Sequence, residues 1–539
     1  MEFQFRRIRV LILLVFASLS SSHHNNDILE CLIDQFQRSN STTNNVIFTP
    51  GNTSYYASLL QSQNLRPASI SPLKPILIVT PYNESEIQAA IYCAKKLGIR
   101  IRTRSGGHDY EGLSYTSRNP FIIIDLRNLR SIKVDSVGKT AWVETGATIG
   151  QLYYALAQKS KTLAFPAGVC PTVGVGGQFS GGGYGMLSRK YGLASDHIID
   201  AILIDADGRI LDRSSMGEDT FWALGGGGGA SFGIIVAFKV TLTVVPNTVT
   251  VFTVARTSEQ NATRLVHRWQ CISDKTAENL LLRVSMNSVN PTATTSDRNR
   301  TIKAVFSALY LGRVNALLPL MRREFPELGL VEQDCTEMTW IESVIYFANL
   351  GNQSVDVLLS RNPQWPYTAS FYKGKSDYVM KKIPIRVLEN IWTFLHAEDE
   401  NRGALEFSPF GGALSNISES ETPFPHRADN MFMIRYGVTW NREGDAELEK
   451  HVSWIRGLYS YMTPYVTESP RAAYLNYKDL DIGMNITEGN HTSYERARVW
   501  GTKYFKSNFD RLVSVKTYVD PSNFFENEQS IPSLSKNIA

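Results

Sequence analysis

Glycine-rich clusters are the residues of this chain best suited to hold a ligand. Three of them occur, at residues 104–109, 174–185 and 225–229. Glycine reaches positive φ without strain and lets the backbone approach a ligand closely, and consecutive N–H groups in such turns bind anions. The ligand that these turns predict is a diphosphate group. The alternative is that they are tight turns of a β-rich domain.

Two side chains with reactive atoms lie beside these clusters. His108 follows Gly106 and Gly107, and Cys170 stands directly before the second cluster. Taken alone, each has an ordinary interpretation, as a hydrogen-bonding loop histidine and a buried structural thiol. Their positions next to the glycine turns raise the alternative of a role at a bound cofactor.

Several common sites are disfavoured because their patterns are missing from the sequence. There is no Walker-type phosphate-binding motif, and the run after Gly174 lacks the spacing of a dinucleotide fingerprint, which argues against a Rossmann NAD site. The nucleophile elbow of α/β-hydrolases is absent. Cysteine and histidine pairs with zinc-finger spacing are also missing, so we predict no metal site.

The elements that must position these residues follow from hydrophobic periodicity. Residues 76–103 predict a β-α-β unit in which Asn83 caps the helix and Gly98 ends it. A second helix is predicted from Thr148 to Gln158. Further strands are predicted at 121–125, 140–144 and 234–244, with a hairpin over 198–211.

The character of the sequence changes at about residue 247. Glycine clusters end there, and alternating strand-like runs with aromatic residues follow at 281–286, 303–309 and 431–440. We interpret this part as a second, α+β domain with a substantial sheet. A helix is predicted near the carboxyl end, at 494–506.

Composition narrows the class of protein. The chain has 539 residues, of which 43% are hydrophobic and 20% charged, so it is not mainly disordered, collagenous or coiled coil. The formal net charge is +4, and no basic stripe follows residue 9, which argues against a nucleic-acid binder. We predict a monomer that binds a small molecule.

The amino-terminal segment predicts secretion. Residues 1–22 have a basic start, an apolar run and a small-residue end, as a signal peptide does. The apolar run is shorter than the roughly 20 residues that span a bilayer, and no later segment reaches that length, so we predict no membrane insertion. We expect the secretory pathway, leading to the extracellular space or a vacuole.

Sequons and cysteines support the same compartment. Nine N-x-S/T sequons are present, at Asn40, Asn52, Asn83, Asn261, Asn299, Asn352, Asn416, Asn485 and Asn490. The five cysteines are an odd number, so at least one is unpaired or modified. Cys31 and Cys93 could form a disulfide in an oxidising lumen, which leaves Cys170, Cys271 and Cys335.

Long motifs make the sequence resemble the berberine bridge enzyme-like family, plant flavoproteins of the vanillyl-alcohol-oxidase type. The motifs are Arg-Ser-Gly-Gly-His-Asp-Tyr-Glu-Gly-Leu-Ser-Tyr at 104–115, Cys-Pro-Thr-Val-Gly at 170–174, Phe-Trp at 221–222 with the glycines of 225–229, Tyr-Leu-Asn-Tyr-Lys-Asp-Leu-Asp at 474–481, and the Asp-Pro-Ser-Asn-Phe-Phe run at 520–532. The resemblance extends from about residue 28 to 532.

The resemblance implies an α+β fold and a bound FAD. A PCMH-type FAD-binding module of two α/β subdomains is implied over 28–246, completed by a carboxyl-terminal segment, 475–535. A substrate module over 247–474 has an antiparallel sheet covered by helices. Two covalent bonds are implied, from His108 to the flavin 8α-methyl group and from Cys170 to flavin C6. The other implied cofactor-binding residues are Arg104, Ser105, Gly106, Gly107, Asp109, Val173, Gly174, Gly176, Gly177, Gln178, Ser180, Gly181, Gly182, Gly183 and Tyr477.

The resemblance also implies catalytic residues. Tyr477 matches a tyrosine that is catalytic in several members, and its pKa must be lowered by a nearby cation if it is to act as a base near neutral pH. Arg283 and Arg435 are placed in the same cavity and could supply that field. Val173 matches a small aliphatic position beside the flavin face that meets oxygen.

Three positions depart from the pattern of the relatives. Arg435 stands where the alkaloid-cyclising enzyme has Glu and many sugar and monolignol oxidases have Gln. Met433 stands where many of those oxidases have Lys, and Gln178 replaces a common His. These changes argue against a carboxylate base and against a monolignol or carbohydrate substrate. An arginine fork suits a phenolate or a polarised carbonyl.

Two functions remain open at this stage. The first is a flavin oxidase of specialised metabolism that dehydrogenates a phenolic or prenylated aromatic substrate with O2 and releases H2O2, as the similar cannabinoid-forming oxidases do. The second is a flavin-requiring, non-redox Diels–Alder cyclase in which Arg435 hydrogen-bonds the carbonyl of a phenolic dienophile. An inert storage glycoprotein is disfavoured because both flavin-linking residues are present.

Overall fold

A computed structural model describes residues 26–39, 41–290, 300–362, 370–398, 402–485, 487–488 and 491–534. The predicted signal peptide and the sequons at Asn40, Asn299 and Asn490 lie outside these residues. The predicted α+β class is confirmed, since helices alternate with two small sheets in one part of the chain and cover a large antiparallel sheet in another. None of the described helices is both long and apolar enough to cross a bilayer.

The first sheet contains the predicted β-α-β unit. Its strands run in the order Ile47–Phe48, Ile78–Val79, Phe121–Asp125 and Arg100–Arg104, and the last three are parallel. The two strands of the β-α-β unit are therefore not adjacent, because Phe121–Asp125 lies between them. The first glycine cluster begins at the carboxyl end of strand Arg100–Arg104.

The helix of this unit, Glu84–Leu97, begins and ends where the sequence predicts. The Asn83 side chain accepts a hydrogen bond from the Glu86 amide, and Gly98 adopts the left-handed φ of 66°. The Glu86 carboxylate accepts from the amide of Tyr82, one residue before the cap, at 2.7 Å. A helix over 26–38 is joined to this helix by the Cys31–Cys93 disulfide, which confirms the proposed pairing.

The second sheet is antiparallel and has five strands. Their order is Ile132–Asp135, Thr140–Glu144, Ile234–Thr241, Ile198–Ile204 and Ile210–Leu211. The predicted 234–244 strand stops at Thr241, opposite Thr140, where its partner begins. Thr243–Val244 pairs instead with Leu163–Ala164 in a separate two-stranded sheet.

The third sheet is antiparallel, with seven strands. Their order is Cys335–Met338, Val249–Thr257, Thr301–Tyr310, Leu280–Val289, Gly403–Pro409, Phe432–Trp440 and Phe371–Val379. Alternate residues form an apolar core against the helices Ala262–Trp269, Ile385–Ala397 and Asp445–Tyr461. Because successive strand residues point to opposite faces, the residues between these core positions are left on the other face.

The remaining helices connect and cover these sheets. They are Thr53–Leu59, Arg66–Ile70, Ile149–Lys159, Val175–Ser180, Ser188–Tyr191, Arg213–Met216, Glu218–Leu224, Val314–Glu324, Trp340–Phe347, Ala413–Asn416, Tyr494–Phe505 and Asn508–Val519. A short β-hairpin pairs Thr487–Glu488 with His491–Thr492. The helices predicted at 148–158 and 494–506 are confirmed to within one residue at each end.

Candidate active site

Arg104, at the end of strand Arg100–Arg104, anchors the loop that follows the strand. Arg104 is 1% exposed and pairs with Asp125, with Nε 2.7 Å from Oδ2, while its Nη2 donates to the Ser58 carbonyl at 2.7 Å. Asp109 closes the loop by accepting the amides of Glu111 and Leu113. Both residues were implied as cofactor ligands, and the structure gives each a role in shaping the loop.

The first and second glycine clusters contact each other through their backbones. A Cβ at Gly106 would collide with the backbone of Gly174, so only glycine permits this approach. Ser105 donates to the Thr145 carbonyl, and Ser180 donates to that of Gly176 at 2.7 Å. The two clusters therefore pack directly against each other, backbone to backbone.

The rest of the second cluster forms a short helix and a turn. Helix Val175–Ser180 follows Gly174 directly and was not predicted. Gly182 and Gly183 have φ of 115° and 85°, which side chains rarely adopt. A Cβ at Gly181 would collide with the side chain of Asn476, so this turn packs closely on the carboxyl-terminal segment.

His108 and Cys170 are brought together by one hydroxyl group. The Oγ1 of Thr172 lies 3.0 Å from His108 Nε2 and 3.6 Å from Cys170 Sγ. Burial lowers the pKa of the His108 imidazole to about 4 and raises the pKa of the Cys170 thiol. Both side chains are therefore uncharged at neutral pH, and they occupy adjacent positions although 62 residues separate them in the chain.

The polar face of the seven-stranded sheet carries two arginines and one carboxylate. Glu406 lies between Arg283 and Arg435, with its carboxylate 3.8 Å from the first guanidinium and 3.9 Å from the second. The three side chains keep between 18% and 33% of their surface exposed, so a ligand can reach them. Burial raises the pKa of Glu406, but the two guanidiniums outweigh it and hold that pKa below its ordinary value.

Two tyrosines stand beside Arg435. The rings of Tyr110 and Tyr477 stack, with centroids 5.3 Å apart and an interplanar angle of 23°. Burial raises the pKa of Tyr110, and the charge of Arg435 opposes that increase. Arg283, Arg435 and Tyr477, which the sequence placed in one cavity, thus belong to one cluster together with Glu406 and Tyr110.

The pKa of Tyr477 is too high for its phenol to act as a base near neutral pH. Burial, with Tyr110 and Glu406, raises this pKa well above 10, and the field of Arg435 offsets only part of the increase. Arg435 thus lowers this pKa in the expected direction, but burial of the phenol and the nearby negative Glu406 outweigh its effect. Tyr477 is a neutral hydrogen-bond donor at neutral pH.

Glu406, Tyr110 and Tyr184 were missed as site residues. Glu406 lies on strand Gly403–Pro409, whose alternating Leu-Glu-Phe-Ser pattern was a usable but unused signal. Tyr110 lies within the first motif, two residues after His108. Tyr184 follows the second glycine cluster and donates to the Pro409 carbonyl at 2.6 Å, and its pKa is raised mainly by burial.

Gln178 and Val173, two further residues implied as cofactor ligands, lie within the second glycine cluster and directly before it. Gln178 is 8% exposed, and its Oε1 has no partner among the described residues. Gly183 leaves room for that oxygen, since a Cβ there would lie 2.7 Å from it. Val173 is partly buried against the main core, and its carbonyl accepts from the Ile149 amide at 2.9 Å.

Comparison with known proteins identifies the class of this site. The family model for an FAD binding domain matches residues 75–214, which include the first glycine cluster and both residues joined at Thr172. A second model, described as "Berberine and berberine like", matches residues 473–532, which include Tyr477. The protein is thus an FAD-binding flavoprotein.

Relatives over almost the whole chain identify the family. The chain is 49% identical to berberine bridge enzyme-like 18 of Arabidopsis thaliana over 97% of its own length and 96% of the relative's. It is 48% identical to tetrahydroberberine oxidase of Berberis wilsoniae, over 98% of each chain. The solved structure of BBE-like 28 from Arabidopsis thaliana matches with a TM-score of 0.86 and 47% identity, covering 94% of this chain and 100% of that one. The chain belongs to the berberine bridge enzyme-like family of FAD-dependent oxidoreductases.

The residues present fit this cofactor. The unpartnered, buried Gln178 oxygen offers an acceptor to a ligand N–H group, and a Cβ at Gly177 would meet open space. The amides of Val175, Gly176 and Gln178 donate to protein carbonyls, so a diphosphate at the second cluster would need other donors. The neutral imidazole and the thiol at Thr172 are side chains able to form covalent bonds to a flavin ring.

Proposed function

We propose that this protein is a secreted flavoenzyme with doubly linked FAD that oxidises a phenolic or prenylated aromatic substrate with O2 and releases H2O2. The observation that carries the proposal is the placement of Glu406 and the Tyr110–Tyr477 pair around Arg435. Overall, the substrate loses a proton from oxygen and a hydride from carbon, and O2 takes up the two electrons and two protons.

The proposed attachment of the cofactor uses both residues at Thr172. His108 would bind the flavin 8α-methyl group and Cys170 flavin C6, and the low pKa of His108 keeps its nitrogen lone pair free of a proton. When bound, FAD supplies the acceptor for the substrate hydride. The proposed FAD module covers 28–246 and 475–535, and the proposed substrate module covers 247–474.

The charges of the cluster favour an electron-rich phenol. Arg283 and Arg435 face one carboxylate, so the three side chains carry a net positive charge that stabilises a phenolate. The ion pairs of Glu406 are longer than hydrogen bonds, and among described residues its oxygens accept one further contact, from Ser408 at 3.2 Å. The departures at Met433 and Arg435 argue against a carboxylate base at those positions, but Glu406 brings a carboxylate in from the neighbouring strand. Glu406 therefore keeps acceptor capacity for the substrate hydroxyl proton, while neutral Tyr477 donates a hydrogen bond.

Anaerobic mixing with a panel of phenols tests this function. We expect prenylated phenols to bleach the visible flavin band, and admission of air to restore it with an equimolar yield of H2O2. The Arg435→Ala variant should lose phenol-dependent bleaching while keeping its flavin. An unbleached flavin with every phenol, in protein that is folded and loaded, would contradict the oxidase proposal.

A Diels–Alder cyclase is the second candidate, and the high pKa of Tyr477 favours it. Arg435 and Tyr477 are both donors, and a pair of donors can polarise the enone carbonyl of a dienophile without removing a proton. A cyclase would consume a diene and a phenolic dienophile, use no O2 and leave the flavin band unchanged. Loss of cycloaddition in Arg435→Ala, in protein that keeps its flavin, would assign this residue to the cyclase.

The proposed secretion rests on the disulfide and on accessible sequons. Asn52, Asn261, Asn352 and Asn416 are exposed, and Asn83 is half-buried as a helix cap. Asn485 differs, because its amide nitrogen donates to the carbonyls of Asn527 and Ser530. We propose glycans at exposed sequons and expect none at Asn485. Glycopeptide mapping of protein purified from a plant host tests both statements.

A further inference from the structure

Three tyrosines from distant parts of the chain meet, and two of them, Tyr110 and Tyr477, lie beside Arg435. Tyr110 stacks on Tyr477, and the Tyr372 ring meets Tyr110 edge-on, with centroids 5.0 Å apart. Tyr110 lies in the first glycine loop, Tyr372 on the edge strand Phe371–Val379, and Tyr477 in the carboxyl-terminal segment. No single element sets the relative positions of the three rings, so contacts between the segments must do so.

A buried ion cluster joins the same three segments. The ammonium of Lys373 contacts the carboxylate of Glu111 and lies 2.6 Å from Asp479 Oδ1. All three side chains are at most 3% exposed. Each of them lies one or two positions along the chain from one of the tyrosines. The ion cluster therefore fixes the backbone from which each ring projects.

Further ions complete this cluster. The Lys375 ammonium lies 2.6 Å from Asp479 Oδ2 and 2.9 Å from Asp481 Oδ2, and Arg66 pairs with Glu111. A buried ion pair adds little net stability because desolvation opposes the attraction, but its geometry is demanding. We therefore assign this cluster the role of fixing the relative positions of the three segments, rather than that of stabilising the fold.

Gly374, next to Lys373, leaves the space that the Tyr110 ring occupies. A Cβ at Gly374 would lie 2.6 Å from Cε2 and 2.7 Å from Cδ2 of Tyr110. Its φ does not lie in the left-handed region, so alanine is compatible with the strand backbone. The Tyr110 ring is then the main obstacle to a side chain at this position.

We infer that Lys373 and Gly374 are positioning residues that set the Tyr110–Tyr477 pair beside Arg435 and thereby the orientation of a bound aromatic ring. This inference rests on the proposed function, since it assigns the aromatic substrate to the tyrosine pair. Neither residue touches the substrate. Lys373 acts through the segments that it joins, and Gly374 acts through the room that it leaves.

Binding of 4-nitrophenolate to the flavin-loaded protein, followed by the visible absorbance of the phenolate, tests the inference. Gly374→Ala should keep its melting temperature and its flavin but bind the probe about tenfold more weakly, the upper range for one displaced aromatic contact. Gly457→Ala is the matched control, because Gly457 is an exposed position of helix Asp445–Tyr461 and a Cβ there meets only an ordinary 3.7 Å contact. Its affinity should equal that of the wild type.

Lys373 variants give a second measurement. Lys373→Met leaves two buried carboxylates without their shared partner, so it should weaken probe binding and lower the melting temperature. Lys373→Arg should restore probe binding relative to Lys373→Met. Lys190→Met, which breaks the exposed pair with Glu278, should leave both quantities unchanged.

The outcomes separate this inference from the proposed function. Wild-type affinity in the Gly374→Ala variant, with normal binding by the wild type, overturns the positioning role alone. A wild type that binds no 4-nitrophenolate and whose flavin no phenol bleaches overturns the proposed function, and the inference with it. Weaker binding in Gly374→Ala at unchanged melting temperature supports the positioning role.

Discussion

The Glu406 carboxylate lies 3.9 Å from the Arg435 guanidinium, on the neighbouring strand and directly opposite it in register. Arg283 approaches the same carboxylate from the other side. A negative charge between two positive ones gives the site an anion-stabilising field and, at the same time, one acceptor for a proton.

Replacing Glu406 should strengthen the binding of phenolates and slow turnover. In Glu406→Gln, the two guanidiniums lose their counter-charge, so we expect phenolate probes to bind more tightly. Turnover should fall roughly 10²-fold if the carboxylate accepts the substrate proton. The decrease of kcat/KM at acid pH should disappear in this variant. In the wild type that decrease lies below the ordinary pKa of a glutamate, because the two guanidiniums lower the pKa of Glu406. The surface variant Glu278→Gln is the control. A wild-type kcat in Glu406→Gln would refute the role of Glu406 as proton acceptor.

Tyr477 should not titrate in the working range of the enzyme. Burial raises its pKa well above 10, so the pH profile of kcat/KM should show no ionisation of Tyr477 below that pH. Tyr477→Phe should lower kcat/KM by roughly 10- to 100-fold through the lost hydrogen bond and leave the shape of the profile unchanged. A basic limb that shifts or vanishes in Tyr477→Phe would show that the phenol does ionise.

Asp125 should stabilise the protein in a pH-dependent manner. Burial raises its pKa, but Arg104 and Arg127 outweigh burial and hold that pKa at about 2, below the ordinary 3.8. The stabilisation is therefore fully present above pH 3.8 and is lost as the pH falls towards 2. Asp125→Asn should cost about 3–5 kcal/mol of unfolding free energy at neutral pH, because it leaves Arg104 buried and unpaired.

Denaturant unfolding at several pH values measures this effect. The difference between wild type and Asp125→Asn should narrow as the pH falls below 3.8. Glu218→Gln, which breaks the exposed pair with Arg213, should leave the free energy of unfolding nearly unchanged at every pH. A difference for Asp125→Asn that stays constant with pH would contradict the assignment.

Thr172 should be required for efficient attachment of the cofactor. Its hydroxyl is the shared partner of His108 and Cys170, and Thr172→Val removes that hydroxyl at nearly constant volume. We expect more flavin to be released on acid denaturation of Thr172→Val than of the wild type. Thr172→Ser keeps the hydroxyl and should retain the flavin. Equal retention in all three proteins would show that the hydroxyl plays no part.

Local signals in the sequence predicted the elements well. Asn83 and Gly98 marked the two ends of a helix because capping and the left-handed turn depend on nearby residues only. The 234–244 strand was placed correctly at its start but not at its end, since its end depends on where the partner strand begins, at Thr140. The pairing of Cys31 with Cys93 was proposed from the compartment and is present.

The site was less predictable than the elements. Arg283, Arg435 and Tyr477 came from resemblance to relatives, whereas Glu406 was missed because its position depends on strand register across the sheet. The lowering effect of an arginine on the pKa of Tyr477 was expected, but the larger, opposing effect of burial was not. A sequence motif indicates a neighbouring charge, but the extent of burial, which decides the sign here, depends on packing by distant segments.

Peptide mapping of the native protein after acid denaturation tests the central claim most directly. We predict that the flavin stays with the protein and that the peptides containing His108 and Cys170 both carry its mass, joined to one another through it. Colourless denatured protein, with both peptides at their unmodified masses, would contradict the account.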